Sequence, residues 1–211
     1  MIEKDKLLKG TTTVGLVCGN GVILASEKRA TIGSFIASKS AKKIYQVDDR
    51  IAMTTAGLVG DAQSLARIIA VESKLYKMRR SEPMTVRAMA TLLANILNSH
   101  RFFPYYVQLL AGGVDRYGST LYSLDAVGGQ IDEKGMVATG SGSPIAYGVL
   151  EERFSKNMST DEAVELAVRA LHMAMKRDSA SGEGVEVVKI TPEVYEIVEE
   201  SQINKIKSSL P

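Results

Sequence analysis

The sequence predicts an α+β fold in which two stacked β-sheets are covered by helices. Short apolar and β-branched runs come first, two helical patterns follow, and strands, a helix and further strands complete the chain. Helices are therefore segregated from strands along the chain. The run Val22-Ile23-Leu24-Ala25 is apolar on both faces, which favours a strand inside a stack of layers over one with a wet face.

The first strands are expected at residues 13–18, 22–25, 44–47 and 51–56. The first of these runs is rich in β-branched and apolar residues, and the turn Gly19-Asn20-Gly21 separates it from the second. The turn-like Asp48-Asp49-Arg50 separates the last two.

Two helices are expected next, because apolar residues recur there at helical spacing. The first helical face consists of Leu65, Ile68, Ile69, Leu75 and Tyr76. The second face consists of Met89, Leu92, Leu93 and Ile96, and Pro83 is expected in the first turn of that helix.

Strands are expected again at residues 107–111, 120–124 and 136–139. Ser159 and Glu162 have the spacing of a capping box, which predicts the start of the last strong helix. Residues 185–190 then read as a strand, and residues 194–198 as a further short one. The buried face of the last helix is expected to consist of Val164, Ala167, Val168, Leu171 and Met175.

Length and composition predict a single globular domain. The chain has 211 residues, of which 45% are hydrophobic and 24% charged. Its 26 basic and 24 acidic residues nearly balance, so no nucleic-acid partner is expected. No apolar run approaches the roughly 18 residues of a membrane span, so no membrane partner is expected. We divide the chain into a charged leader at residues 1–10, one domain at 11–200 and a polar tail at 201–211.

The counts of cysteine and histidine restrict the possible chemistry. Cys18 is the one cysteine, which excludes an internal disulfide and a cysteine zinc cluster. Two histidines cannot form a three-histidine metal centre, and we expect no metal and no cofactor. The leader is charged and lacks the apolar region of a secretory signal, so a cytoplasmic location is expected.

The sequence does not favour the common Ser-His-Asp and Cys-His arrangements of a catalytic nucleophile. His172 falls within the last helix and reads as a partly buried structural residue, while His100 lies near a helix C-terminus, where the helix dipole favours a cation. Cys18 lies in a strand and reads as a small core residue. The chain has no G-x-S-x-G elbow.

A threonine that becomes the N-terminus of the chain is another possible nucleophile. A threonine hydroxyl needs an adjacent base, and a free α-amine with a pKa of about 7.7–8.0 can act as that base. Removal of the leader between Gly10 and Thr11 would create such a residue. On its own this signal is weak, because Gly-Thr bonds are ordinary.

Five spaced motifs strengthen this interpretation. Together they resemble the β subunits of proteasomes, most of all the archaeal catalytic ones, from Thr11 to about Ile190. The resemblance implies the N-terminal-nucleophile hydrolase fold, a four-layer α-β-β-α sandwich of two antiparallel sheets covered by helices. The motifs are Thr11-Thr12-Thr13-Val14-Gly15, Ser40-Ala41-Lys42-Lys43-Ile44, Met53-Thr54-Thr55-Ala56-Gly57-Leu58-Val59-Gly60-Asp61, Gly140-Ser141-Gly142-Ser143-Pro144 and Arg177-Asp178-Ser179-Ala180-Ser181-Gly182.

The resemblance implies a catalytic role for seven residues. Thr11 would supply the nucleophilic Oγ and, once freed, the α-amine base. Lys43 would lower the pKa of Oγ by its charge, and Glu27 would pair with Lys43, at a position where many family members carry Asp. The backbone N–H of Gly57 would hold the oxyanion. The residues expected to hydrogen-bond around Thr11 are Ser141, Asp178 and Ser181.

The resemblance also implies a substrate pocket. The residues expected to line it, for the side chain that precedes the cut, are Ala30, Ala41, Thr55 and Val59, which are small or apolar and uncharged. We therefore expect apolar substrate side chains to be accepted and charged ones rejected. The substrate backbone is expected to pair with Thr31, Gly57 and Val59, and Asp125 is expected to come from a neighbouring subunit.

The implied partners are α subunits and other β subunits, in seven-membered rings stacked as α7β7β7α7. Unfolded polypeptide is the implied substrate, and a regulatory ATPase is an indirect partner. Two rivals from other classes are a non-catalytic ring subunit, which should lack Gly10-Thr11 or Lys43, and a hydrolase of small amides. That hydrolase, like the peptidase of a bacterial two-component protease, is expected to lack the fourth and fifth motifs.

Overall fold

Two five-stranded antiparallel sheets lie face to face in the computed structural model, which describes residues 10–210. Five helices cover the outer faces of the sheets within that range. The strands are β1 Thr12–Cys18, β2 Gly21–Glu27, β3 Ala30–Ile32, β4 Phe35–Ser38, β5 Ile44–Asp48, β6 Ile51–Gly57, β7 Val107–Asp115, β8 Gly118–Leu124, β9 Gln130–Glu133, β10 Met136–Gly140, β11 Val185–Ile190 and β12 Tyr195–Ile197. The helices are α1 Val59–Arg80, α2 Val86–Ser99, α3 Ser143–Arg153, α4 Thr160–Arg177 and α5 Glu200–Ser208.

The first sheet has the strand order β10-β1-β2-β11-β12, and the second has the order β5-β6-β7-β8-β9. Strands β3 and β4 form a separate hairpin. Apolar side chains such as Leu24 and Leu110 fill the space between the sheets. Helices α1 and α2 pack on the outer face of the second sheet, and α3, α4 and α5 pack on that of the first. The predicted four-layer α-β-β-α sandwich is confirmed.

Strand β2 shows why its sequence is apolar throughout. Val22 and Leu24 face the second sheet, whereas Ile23 and Ala25 face the helices on the other side. Because both faces of the strand are covered, successive residues are all apolar, and the alternation of apolar and polar residues typical of a half-exposed strand is absent.

The predicted strands and the three predicted helices are present, with bounds that differ by a few residues. The capping box is confirmed, because Ser159 accepts from the Glu162 N–H while Glu162 accepts from the Ser159 N–H. The placement of Pro83 is wrong. Helix α2 is capped by the Thr85 hydroxyl, which accepts from the Ala88 N–H at 3.1 Å, so Pro83 precedes the helix.

Five elements were not expected from the sequence: strands β3 and β4, which form the hairpin, strand β9, and helices α3 and α5. Helix α3 buries only Ala146 and Leu150, so its apolar pattern is weak. Helix α5 spans residues 200–208, so most of the predicted polar tail at 201–211 is helical. Ile203 of this helix is buried against the core that α4 also covers.

The pairing of the strands brings several strand ends to one edge of the sandwich. In the first sheet, Thr12 at the start of β1 pairs with Gly140 at the end of β10, and Thr13 pairs with Ser26 near the end of β2. In the second sheet, Ile44 at the start of β5 pairs with Thr54 near the end of β6. Five candidate catalytic residues lie at or next to these strand ends, and the other two, Asp178 and Ser181, lie in the loop between α4 and β11.

Candidate active site

Thr11 immediately precedes β1 and is almost completely buried. It is joined to Gly10, so its nitrogen is an amide and cannot accept a proton. The Thr11 hydroxyl donates a hydrogen bond to the Gly10 carbonyl, which places the candidate nucleophile against the bond expected to break. Gly10 has a φ of +120°, and a Cβ there would lie 2.4 Å from the Thr31 hydroxyl oxygen, so this turn requires glycine.

Lys43 and Glu27 form a buried ion pair beside this turn. The Lys43 ammonium donates to Glu27 Oε1, and it also donates to the Arg29 carbonyl at 2.6 Å. Burial lowers the pKa of Lys43 below its ordinary value, although the adjacent carboxylate of Glu27 opposes this change. The other carboxylate oxygen, Oε2, accepts from the N–H groups of Arg29 and Gly182 at 2.7 and 3.0 Å. Glu27 is thereby held from three sides.

A hydroxyl–carboxylate network lies on the other side of Thr11. Asp178 Oδ2 accepts from the hydroxyls of Ser141 and Ser181, both at 2.6 Å. The Ser141 hydroxyl also approaches the Thr11 carbonyl at 3.4 Å. The Ser181 hydroxyl lies 2.7 Å from Oγ1 of Thr12. The structure therefore brings together the expected trio, with Ser181 contacting the residue after Thr11.

Thr11 and Gly57 lie together between two cavities. The larger one, of about 440 Å³, also reaches Lys43, and the smaller one, of about 220 Å³, also reaches Ser141. Gly57 has a φ of +121°, and a Cβ there would lie 2.0 Å from the Tyr106 carbonyl oxygen. Only glycine fits this bend, at which Gly57 lines the same two cavities as Thr11.

The larger cavity contains most of the predicted substrate pocket. Ala30, Thr31, Thr55 and Val59 line it together with Thr11. The predicted pocket did not include Ile32, Tyr45 and Leu58, which also line this cavity. Leu58 lies within the third motif, whereas Ile32 and Tyr45 lie in none.

Two residues of the predicted pocket lie outside this cavity. Ala41 is not among the residues that line it, and its N–H donates to the Lys28 carbonyl at 2.9 Å. Asp125 lies in an exposed turn, where its carboxylate accepts from the N–H groups of Val127 and Gly129. A role for Asp125 at a neighbouring subunit therefore stays a prediction.

The residues interpreted as structural lie away from Thr11. Cys18 is buried, and burial raises the pKa of its thiol to about 11. His172 is half-buried on α4, where burial and then the charges of Lys176 and Lys207 lower its pKa. His100 caps the C-terminus of α2. Across residues 10–210, no cluster of three or more potential metal ligands occurs, and no helix has the length and apolarity to cross a membrane.

Two residues of the site were not identified from the sequence. Thr12 donates its N–H to Glu27 at 3.3 Å, but it reads as an ordinary strand threonine. Arg29 connects Glu27 and Lys43 through its backbone, and in Ser26-Glu27-Lys28-Arg29 it reads as a surface charge. The contact of Thr12 with Glu27 follows from the pairing of β1 with β2, and Arg29 meets Lys43 only in the folded chain.

The four-layer sandwich with a threonine at the start of a central strand defines the class of N-terminal-nucleophile hydrolases. A family profile described as "Proteasome subunit" matches residues 7–190. The chain therefore belongs to the family of proteasome subunits.

Three curated relatives, each called "Proteasome subunit beta", come from archaea. The relative from Methanohalophilus mahii is 62% identical, over 99% of this chain and 100% of its own length. The one from Archaeoglobus profundus is 63% identical, over 98% of this chain and 96% of its own length. The one from Archaeoglobus fulgidus is 66% identical, over 92% and 91% respectively.

Proposed function

We propose that this chain is a catalytic β subunit of a proteasome core particle and a threonine endopeptidase. The observation that carries this proposal is the position of Thr11, whose hydroxyl lies against the Gly10 carbonyl in a cavity shared with Lys43 and Gly57. The family and its archaeal relatives supply the proteasome context. The proposed location is the cytoplasm.

Leader removal is the first proposed reaction. Thr11 Oγ adds to the Gly10 carbonyl carbon, the Gly10–Thr11 C–N bond breaks, and the Thr11 nitrogen takes up a proton to become an amine. Water then hydrolyses the resulting ester, releasing residues 1–10 and returning the Oγ proton. The φ of Gly10 and the contact between its carbonyl and the hydroxyl support this step. The leader itself, residues 1–9, lies outside the described residues.

Peptide hydrolysis follows the same course with the amine as base. Oγ of Thr11 attacks the substrate carbonyl while its proton passes to the α-amine, and the Gly57 N–H stabilises the oxyanion. The amine product leaves with a proton, and water hydrolyses the acyl-enzyme. Lys43, oriented by Glu27, stabilises negative charge on Oγ. Ser141, Asp178 and Ser181 orient the Thr11–Thr12 segment.

The larger cavity is proposed to take the side chain that precedes the cut. Its walls are mostly small and apolar, and each buried methylene of a substrate gains about 0.8 kcal/mol. Lys42 and Lys43 line this cavity too, and Lys43 is already paired with Glu27. An acidic side chain therefore has a partner of opposite charge there, whereas an arginine has none among the lining residues. We expect fluorogenic peptides with Leu or Tyr at the cut to have a higher kcat/KM than those with Arg or Glu. A highest value for Arg or Glu would show that this pocket assignment is wrong.

The proposed partners are α subunits and further β subunits, in rings stacked as α7β7β7α7. Unfolded polypeptide is the proposed substrate, and an ATPase is the proposed indirect regulator. The rival of a non-catalytic ring subunit is disfavoured, because Gly10, Thr11 and Lys43 are all present and adjoin one cavity. A hydrolase of small amides is disfavoured by the presence of both the Gly140–Pro144 and the Arg177–Gly182 motifs.

The replacement Thr11→Ala tests the proposal. Because one residue supplies both the nucleophile and the leader-cleavage chemistry, the variant should lose peptide hydrolysis and retain residues 1–10. The measurements are peptide turnover and intact mass of the chain assembled with α-type subunits. The matched control is Thr120→Ala, which alters a threonine in β8 and should leave turnover within twofold. Activity of Thr11→Ala within tenfold of wild type would contradict the assignment.

A further inference from the structure

We propose that the Arg29 guanidinium clamps the loop of residues 178–183 and thereby positions Asp178 and Ser181 beside Thr11. This inference rests on the proposed function, since it concerns the same site. Arg29 is a positioning residue in this proposal, because its side chain acts through the loop.

The clamp is made of two contacts from one side chain. Arg29 Nη1 donates to the Ser179 carbonyl at 2.8 Å, and Nη2 donates to Glu183 Oε1 at 3.1 Å. These two acceptors lie on either side of Ser181. The side chains of Arg29 and Glu183 are only 21% and 19% exposed, so their ion pair is shielded more than an ordinary surface pair.

Gly182 fits the clamp because it lacks a side chain. A Cβ at this position would lie 2.4 Å from Arg29 Nη2 and 2.5 Å from Cζ, so the guanidinium rests directly on the Gly182 backbone. Arg29 Nε is buried there and has no hydrogen-bond partner among residues 10–210. Burying a donor without a partner is unfavourable, so the two outer contacts must hold the group in place.

Glu183 gives a second, independent sign that the loop is held. Its φ is +70°, in the left-handed region that non-glycine residues rarely adopt. Such a conformation persists where surrounding contacts impose it. The Glu183 side chain contacts Arg29 and, at 3.8 Å, Lys39, and these ion pairs offset the strain.

The clamp joins the two halves of the active site. The backbone of Arg29 accepts from the Lys43 ammonium and donates to Glu27, while its side chain holds the loop on which Asp178 and Ser181 lie. Glu27 also accepts from the Gly182 N–H. Release of the clamp should therefore let the Asp178–Ser181 network shift relative to Thr11. Since residues of this loop do not line the larger cavity, the effect should fall on kcat more than on KM.

The test uses Glu183→Gln and Gly182→Ala, singly and together, in full-length chain assembled with α-type subunits. Glu183→Gln removes the negative charge that pairs with Arg29, and Gly182→Ala adds a methyl group that displaces the Arg29 guanidinium. We expect each to lower kcat about tenfold with KM within twofold, because small misplacements of catalytic groups are costly. Amide hydrogen exchange at residues 178–184 should become faster, while exchange in β1 and β6 stays unchanged. The double variant should resemble the worse single variant, because both release the same clamp.

Glu183→Gly separates the clamp from the backbone strain. It relieves the left-handed conformation but removes the ion pair, so kcat should fall as in Glu183→Gln. The matched control is Glu82→Gln, which breaks the exposed ion pair with Arg116. This pair lies near Ile51 at the start of β6, whereas Gly57 lies at the other end of that strand. Glu82→Gln should leave kcat and exchange at 178–184 unchanged.

The clamp proposal would be overturned if both Glu183→Gln and Gly182→Ala had wild-type kcat and wild-type hydrogen exchange. It would also be overturned if the fold-losses in kcat of the two single variants multiplied in the double variant. A failure of the proposed function looks different, because wild-type particles would then hydrolyse no peptide or Thr11→Ala would stay active. The exchange measurement needs no activity. It therefore tests the clamp even in that case.

Discussion

Lys43 combines a buried charge with a lowered pKa at the centre of the site. Its ammonium is held by Glu27 and by the Arg29 carbonyl, and desolvation by burial is the main cause of the lowered pKa. A positive charge is what would stabilise the anionic Thr11 Oγ. The proposed catalytic role of Lys43 thus requires that it remain protonated at the working pH.

This dependence predicts an alkaline limb in the pH profile of peptide hydrolysis. We expect kcat to fall as the pH rises through the lowered pKa of Lys43, below the ordinary value of 10.5. Over the interval between these two pKa values the unfolded chain binds the proton more tightly, so the contribution of Lys43 to the free energy of unfolding increases with pH. Lost activity with retained near-ultraviolet circular dichroism would support titration of Lys43. An unchanged kcat up to pH 10.5 would contradict it.

The sequence marks the proposed catalytic residues more clearly than the residues that contact and orient them. Thr11, Glu27 and Lys43 were expected together through the family resemblance. Glu27 pairs with Lys43, and Lys43 lines the same cavity as Thr11. Arg29 was not expected, because a lone arginine after Glu27 and Lys28 has the pattern of a solvated surface. Its burial follows from the loop at residues 178–183, which is distant in sequence and contacts it only in the fold.

At the scale of elements, three threonine hydroxyls connect the strands that carry the site. The Thr54 hydroxyl of β6 donates to Oγ1 of Thr13 in β1 at 3.1 Å, and Thr13 is 2.7 Å from Oγ1 of Thr139 in β10. Thr13 and Thr54 are fully buried. These hydrogen bonds join the two sheets close to Thr11, Gly57 and Gly140, where the same strands begin or end.

Thr13→Val should therefore destabilise the protein by about 1–3 kcal/mol, because it leaves buried hydroxyls without partners at nearly constant shape. Chemical denaturation monitored by circular dichroism measures this change. Thr120→Val is the matched control, since the Thr120 hydroxyl is buried and has no hydrogen-bond partner among residues 10–210. Removing that hydroxyl should be neutral or stabilising. Equal destabilisation by both substitutions would contradict a role for the hydroxyl bridge.

Elements with strong patterns could be predicted, and those with weak patterns could not. Helix α4 has a capping box and a continuous buried face, and both are present. Helix α5 has two apolar residues, the buried Ile203 and the partly buried Ile206, and is otherwise polar, so its sequence resembles that of an exposed tail. The β3–β4 hairpin exposes Ile32 and Phe35, which removes the alternation that marks a half-buried strand.

At the scale of the whole molecule, the site exists because distant segments converge at one edge of the sandwich. The start of β1, the end of β6 and the loop after α4 each contribute backbone or side chains around Thr11. Periodicity predicts the individual segments but not their convergence, which depends on how the two sheets are aligned. The family resemblance supplied that alignment.

In the proposed mechanism, one feature of the uncut chain would keep this site inactive. The Thr11 nitrogen is an amide, so the nucleophile has a hydroxyl but no amine base. Release of the N-terminus is therefore expected to switch on peptide hydrolysis without a rearrangement of the fold, because Glu27, Lys43 and Asp178 already have their hydrogen-bond partners.

A chain that begins directly at Thr11, released from a cleavable fusion partner and assembled with α-type subunits, tests this expectation. With a free amine of pKa about 7.7–8.0 it should hydrolyse peptides at the wild-type rate near neutral pH, although it never carried the leader. The matched control is the same chain acetylated at Thr11, which keeps the hydroxyl but cannot accept the proton. It should have unchanged thermal stability and at least a hundredfold lower kcat, on the order of what general-base catalysis contributes. Acetylated particles that turn over peptide as fast as the free-amine particles would rule out the amine as the base and leave the proton to another group.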